Sequence, residues 1–548
     1  MLSSLAVAAI VLVDRSEAGG IRFQNLFGGA EKRFIYETLG SGGAFFDYDE
    51  DGLLDVYLVN GAPDLASPGP GSRLYRNRGD GRFEDVTEKS GAGDDGFGVA
   101  IAVADLEADG DCDFFVATNG SDVLFVNQGD GTFQKLRIDD GLMAGGAAFG
   151  DYDADGLPDL YVSSYVERAA FDEGGKGFEL CNWKGLEVGC GPAGLPASPD
   201  RLYHNEGGRL RDASEETGVA AVEPSYGIGV LFSDLDLDGR SDIFVANDGR
   251  PHYLFRNRGD GTFSEEGLMR GASYSGDGRE QAGMGVDAAD IDLDADPDLI
   301  VTNLSHDHTT LFENLGAGFF TDASYKRGIG KDTYFPLSWG VRFVDLDNDS
   351  DLDLYVAHGH IYSAVDRVAP ETSYAEPDQV FRNDGTGRFA LDSWESSRRS
   401  SRGVASGDYD NDGRVDLLVT NIDGFAELLH NETEPSGAGI LVKLEGVRST
   451  REGLGAMVTV ETSSTRQIRE ARTSGSHASA QDSRLHFGLG KEAPRAIEVH
   501  WPSGARDRVQ LSELGQLDDL DDLADLESTL LFVIKEGVGL AAYNSGAR

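Results

Sequence analysis

The sequence predicts an all-β chain: a seven-bladed β-propeller followed by a small C-terminal β domain. Three observations carry that prediction. An acidic nonamer recurs seven times, short runs of β-branched and aromatic residues flank the copies, and a glycine-turn hairpin motif follows six of the seven. A repeat held at roughly 46–83 residues means an array of units that bury their apolar faces on one another.

The nonamers are DYDEDGLLD from Asp47, DLEADGDCD from Asp105, DYDADGLPD from Asp151, DLDLDGRSD from Asp234, DIDLDADPD from Asp290, DLDNDSDLD from Asp345 and DYDNDGRVD from Asp408. Small and apolar residues precede them, as at 42–46 and 339–344. Strand-like runs follow, as at 56–59, 243–246 and 417–420. Their β-branched and aromatic content suits a pleated, half-buried surface. A second motif comes next: LYRNRGDGRF from Leu74, LFVNQGDGTF from Leu124, LYHNEGGRL from Leu202, LFRNRGDGTF from Leu254, LFENLGAGFF from Leu311 and VFRNDGTGRF from Val380. Its Asp-Gly and Gly-Gly pairs supply the positive φ angles of a tight hairpin. Each unit is therefore a four-stranded antiparallel meander, the blade of a propeller. The seventh unit stops at Asn431 without a last strand, whereas residues 21–25 (IRFQN) have no nonamer before them. Residues 21–25 are thus expected to supply the outer strand of blade seven and close the ring, which removes open edges.

Carboxylates at positions 1, 3, 5 and 9 of a nonamer, with the carbonyl of position 7, can converge on one hard cation. The spacing matches the first nine positions of an EF-hand loop, glycine at position 6 included, but the flanks are strands and no Glu stands at position 12. The candidate ligands are Asp47, Asp49, Asp51, Leu53 and Asp55 in loop one; Asp105, Glu107, Asp109, Asp111 and Asp113 in loop two; Asp151, Asp153, Asp155, Leu157 and Asp159 in loop three; Asp234, Asp236, Asp238, Arg240 and Asp242 in loop four; Asp290, Asp292, Asp294, Asp296 and Asp298 in loop five; Asp345, Asp347, Asp349, Asp351 and Asp353 in loop six; and Asp408, Asp410, Asp412, Arg414 and Asp416 in loop seven. Oxygen-only donors favour Ca²⁺ over zinc or copper, so up to seven calcium ions are expected. Ala295 and Ser350 replace the glycine of position 6, and Glu107 replaces Asp at position 3. Loops two, five and six are the weaker candidates: loop two for its altered ligand, and loops five and six because a left-handed non-glycine residue costs about 1–2 kcal/mol.

The chain has 548 residues, with 96 Asp and Glu against 47 Lys and Arg, for a net charge of −49. Such a surface repels nucleic acid and anionic lipid, so neither is an expected partner. Cys181 and Cys190 lie in one long loop, where a disulfide would suit an oxidising compartment. Cys112 stands alone, and there is no CxxC. The apolar run over residues 5–13 is too short to span a bilayer. With Ser16 and Ala18 as small residues before a cleavage point, residues 1–18 read as a candidate signal peptide, although an early Lys or Arg is missing. The propeller is then expected over 19–435. The C-terminal domain follows over 436–548, with residues 485–490 and Trp501 in its core, a polar segment over 517–526 and a last strand over 529–534.

The DxDxDGxxD loops, each followed by a strand and an LYRNxGDGxF hairpin, resemble FG-GAP/VCBS repeats, the blades of integrin α-subunit heads and of many bacterial surface proteins. The C-terminal part resembles the ASPIC/UnbV domain in residues 455–460 (GAMVTV), 474–477 (SGSH), 485–490 (LHFGLG) and 501–504 (WPSG). Together they are similar to the cartilage acidic protein family. That resemblance implies calcium binding and a secreted or extracytoplasmic location, in the periplasm or at the cell surface. It names no partner.

Loop lengths point to a binding face. The connection after the strand that follows the nonamer is long in blades one, three and six, and it lies on the face opposite the acidic loops. Insertions gathered on one face often mark a binding face. The blade-three insertion, about 163–200, carries Cys181, Trp183 and Cys190; that of blade six, about 358–379, carries Tyr362 and Tyr374. His306, His308, His358 and His360 map to the same face as a candidate transition-metal cluster or as unlinked loop histidines. No nucleophile elbow, P-loop, HExxH or dinucleotide fingerprint is present. The expected function is a monomeric module binding a protein or glycan on the insertion face. The alternative is a calcium-dependent propeller enzyme of lyase or dehydratase type, acting on glycans or natural products.

Overall fold

A computed structural model describes residues 9–138, 141–172, 175–511 and 529–544. The polar segment over 517–526 lies outside them, as do residues 1–8. Seven four-stranded antiparallel sheets follow one another. The first takes Gly43–Phe46, Asp55–Leu58, Arg73–Asn77 and Phe83–Asp85. The innermost strands are small and apolar, as in Gly98–Ala104 (GVAIAVA) and Ala144–Gly150 (AGGAAFG), and every residue of these two is buried. Only small side chains let seven such strands meet around one axis. Each inner strand contacts the next, and that of the seventh sheet contacts that of the first.

The last sheet corrects the expected closure. Its outer strand is Leu12–Asp14, which pairs with Asn431, His430 and Leu429. Residues 21–25 give only a bridge between Gln24 and Phe425. The propeller thus begins inside the stretch read as a leader, and cleavage after Ala18 would remove its closing strand.

The C-terminal domain is a sandwich of two four-stranded sheets. Gly439–Glu445 and Leu530–Lys535 run parallel in one; Met457–Glu461 pairs with Arg466–Glu470 and Ala496–His500 in the other. Ile440, Val458, Phe487, Ile497, Trp501 and Phe532 are buried between them. The returning strand at Leu530 is followed by one more, Gly539–Asn544.

The two domains interlock. Residues 471–480 leave the sandwich and enter the axial channel of the propeller, where all ten are buried. Ser476 exchanges backbone hydrogen bonds with Val286 at 3.0 and 2.6 Å, and Ala480 donates to Gly43 and accepts from Phe45. The Ser476 hydroxyl accepts the N–H groups of Val341 and Val404. From the opposite face the N-terminal loop fills the channel with Phe27, Ile35, Tyr36 and Leu39. The segments meet midway: the His477 ring lies 2.9 Å from the Leu39 carbonyl and packs on Trp339.

Candidate functional site

The seven acidic loops share one backbone trace. In each, the Asp at position 1 accepts the N–H groups of positions 5 and 6. For Asp47 these are Asp51 and Gly52 at 3.1 and 3.0 Å; for Asp408 they are Asp412 and Gly413 at 3.0 and 2.9 Å. The Asp at position 5 accepts the N–H of position 7, which is how Leu53, Asp111, Leu157, Arg240, Asp296, Asp351 and Arg414 enter the loops. The carboxylate at position 9 (Asp55, Asp113, Asp159, Asp242, Asp298, Asp353 and Asp416) is buried in all seven. These turns need left-handed backbone at position 6, including Ala295 at φ 79° and Ser350 at φ 90°.

Sequence reasoning missed a second left-handed residue. Position 4 (Glu50, Ala108, Ala154, Leu237, Leu293, Asn348 and Asn411) has φ between 55° and 61° in every loop. It also missed the hairpin Asn. The side-chain amide of Asn77 donates to the Leu54 carbonyl of its own loop and to Tyr409 of the neighbouring blade. Asn127, Asn205, Asn257, Asn314, Asn383 and Asn431 repeat this bond, reaching Tyr48, Leu106, Tyr152, Leu235, Ile291 and Leu346. The invariant Asn of the LYRN motif was the available signal.

Carboxylate oxygens of Asp47, Asp49 and Asp55, of Asp105, Glu107 and Asp113, and of Asp151, Asp153 and Asp155 lie within 4.8 Å of one another. Oxygens around one Ca²⁺ at about 2.3–2.6 Å span about 5 Å, so the separations fit. Asp49, Asp236, Asp292 and Asp347, all at position 3, keep a buried Oδ1 with no hydrogen-bond partner among the described residues. A buried carboxylate oxygen without a donor is costly, and a cation at the loop centre would supply the missing partner. Burial, followed by neighbouring carboxylates, lifts Asp151 to about 7. Asp55 is pushed to about 8 by burial. In Asp113, raised to about 9, Glu107 adds to the effect of burial.

The third residue of the hairpin motif is a basic neighbour of the loop in five of the seven blades. Arg76 binds Asp49 and Asp51 at 2.6 and 2.9 Å, Arg256 binds Asp236 and Asp238 at 2.6 and 2.7 Å, and Arg382 binds Asp347 at 2.6 Å. His204 approaches Asp159 at 3.1 Å, and His430 approaches Asp410 at 3.0 Å. In loop five the cation is Arg327, 2.5 Å from Asp292; loop two has Val126 at this place.

The acidic face is where the sandwich docks. Glu452 accepts the N–H of Asp105, Glu470 that of Asp234, and the Thr529 hydroxyl donates to Asp408. Cys181 and Cys190 form a disulfide across the hairpin of Leu180–Trp183 and Leu186–Gly189 on the opposite face. There Trp183 packs on His360 and Tyr362, and Lys184 and His306 both bind Glu371, at 2.7 and 3.1 Å. Phe178, Leu180 and Phe335 are exposed. The four histidines have separate partners: His306 Glu371, His308 Asp322, His358 Gln379 and His360 Ser305.

Among the described residues no helix is long and apolar enough to cross a membrane. The family model of the FG-GAP-like repeat matches residues 47–116, 105–162, 234–301, 291–356 and 366–419, more than half of the chain, and that of ASPIC and UnbV matches 446–522. Cartilage acidic protein 1 of Homo sapiens is 29% identical over 54% of this chain, which spans 43% of that protein. The Mus musculus protein is 27% identical over 85% of the chain and 71% of its own length; the Xenopus tropicalis protein is 26% identical over 75% and 62%. A solved Agrocybe aegerita lectin is similar at TM-score 0.37 and 15% identity, covering 72% of this chain and 94% of its own. The chain belongs to the FG-GAP-like repeat family, carries an ASPIC and UnbV domain after its repeats, and is similar to the cartilage acidic proteins.

Proposed function

We propose that the chain is a calcium-stabilised interaction module that presents its insertion face to a protein or glycan outside the cytoplasm. One observation carries the calcium reading. Four loops hold a buried position-3 oxygen with no donor among the described residues, amid carboxylates that burial keeps at raised pKa. Without a bidentate Glu at position 12, the sites fall in the range of about 10⁻⁴–10⁻³ M typical of extracellular modules. The test is thermal unfolding in millimolar calcium and in excess chelator at fixed ionic strength, which removes general screening. The melting temperature should fall on chelation. An unchanged value, with no calcium retained after purification, rejects the reading.

The interaction reading rests on which surface is left free. The sandwich covers the acidic face, and the channel is filled from both ends. That leaves the disulfide-held hairpin with Trp183, Phe178 and Leu180, beside Tyr362 and Phe335. Aromatic anchors in such a patch are what binding surfaces concentrate. The disulfide fits an oxidising compartment. A glycan array and a pull-down from cell-surface extracts should each be repeated with W183A. A ligand captured equally by wild type and W183A would place binding elsewhere.

A further inference from the structure

Between the propeller axis and the sandwich lies a cavity of about 110 Å³. One water needs only roughly 10–15 Å³, so the space admits a polyatomic ligand. Its wall holds Arg342 from the inner strand of blade six, Arg469 from the sandwich, and Arg472 at the root of the axial segment. Arg342 is 6% and Arg472 9% exposed. Yet Arg342 and Arg472 each leave Nε without a hydrogen-bond partner among the described residues, and Arg342 Nη1 meets Asp287 only as an ion pair, without a hydrogen bond. The two share one carboxylate, Asp287, at 3.3 and 2.8 Å. Glu470 stands 3.5 Å from Arg472 and also accepts the N–H of Asp234.

Arg469 has no carboxylate within 4.0 Å among the described residues. It donates to the Ile468 carbonyl and to Gln467, both at 3.1 Å, and lies over the Phe487 ring. Arg484, on the same wall, is already paired with Asp482 at 2.8 Å. Asp290, Asp345 and Asp408 also line the cavity, but each is the first residue of an acidic loop and accepts that loop's own N–H groups. Cations in those loops would offset part of that negative charge, and among the described residues Asp287 and Glu470 are the carboxylates within ion-pair distance of Arg342 and Arg472.

We propose that this cavity is a binding site for one small oxyanion, held by Arg469 together with Arg342 and Arg472. Planar guanidinium forks match the paired oxygens of carboxylate, sulfate and phosphate. Such an ion supplies acceptors for the partnerless N–H groups and gives Arg469, which Asp345, Asp290 and Asp351 reach only at longer range, a direct partner for its charge.

The test is isothermal titration of the calcium-loaded full chain with sodium sulfate and, separately, sodium acetate, with chloride holding ionic strength constant. The two arms separate a tetrahedral from a planar ligand. One equivalent of either anion should bind saturably. R469Q should weaken binding at least tenfold, and R469K, which keeps the charge without the fork, should weaken it as well. R398Q, on the insertion face, should leave it unchanged. Should R469Q fail to fold, R469K carries the comparison. Absence of saturable binding of both anions to the wild type overturns the proposal. So do equal affinities for wild type and R469K, or an equal loss in R398Q.

Discussion

Burial sets the acidity of the loop carboxylates more than mutual repulsion does. It lifts Asp47 to about 6, Asp408 to about 7 and Asp298 to about 8, against roughly 3.9 in an unfolded chain. Folded pKa values above the unfolded ones mean that the cation-free protein holds extra protons when folded. The stability this brings is complete below about pH 4 and is lost as pH rises through 6–8. In chelator the melting temperature should therefore fall between pH 5.5 and 8. Millimolar calcium binds the ionised form and should flatten or reverse that slope. A chelated protein melting at one temperature across this range would contradict the burial argument. Backbone strain gives a second expectation at this scale. Gly239 has φ 86° and open space where a Cβ would stand. Gly239→Ala should cost about 1–2 kcal/mol by urea unfolding in calcium, with no packing contribution. The glycine of position 6 was legible because its conformation favours one residue type. Position 4 was not: Glu, Ala, Leu and Asn all occupy it, since the loop's own hydrogen bonds impose the left-handed turn whatever the side chain.

The blade was legible as an element because strand, acidic loop and hairpin each have a compositional mark. What joins blades was less so. The seven hairpin Asn amides form a ring of bonds, each tying a loop carbonyl of its own blade to one of the blade before. Asn257→Leu would leave the carbonyls of Tyr152 and Ser241 without this donor, and each orphaned buried acceptor costs about 1–3 kcal/mol. The variant should lose at least about 2 kcal/mol in urea unfolding, in calcium and in chelator alike, because the bond does not depend on the cation. A loss seen only in calcium would mean that Asn257 acts through the metal loop. The closing strand shows where composition runs out. Leu12–Asp14 and residues 21–25 are equally strand-like, and only pairing with Glu427–Asn431 separates them.

At the scale of the whole molecule, two domains visible in the sequence interlock through residues 471–480. The SGSH stretch was readable as a domain signature but not as an axial segment, because its small polar residues resemble an ordinary loop. The hydrogen-bond partners of Ser476 and Ala480 in this segment, Val286, Val341, Val404, Gly43 and Phe45, lie hundreds of residues away in some cases and carry no local mark. Small residues are required on both sides of this contact. A Cβ at Gly42 would overlap the Ala478 carbonyl, while its own backbone is outside the left-handed region, so a side chain there blocks the axial segment without straining the strand. The wild-type chain should unfold in one cooperative transition, by calorimetry and by fluorescence together. Gly42→Val should split that transition in two and open the 431–439 connection to protease. Gly191→Val, where the added side chain meets nothing within 4 Å, should change neither. If Gly42→Val still melts in one transition with the connection intact, the axial segment does not couple the domains, and the acidic face must be held by the sandwich through its surface contacts with the loops alone.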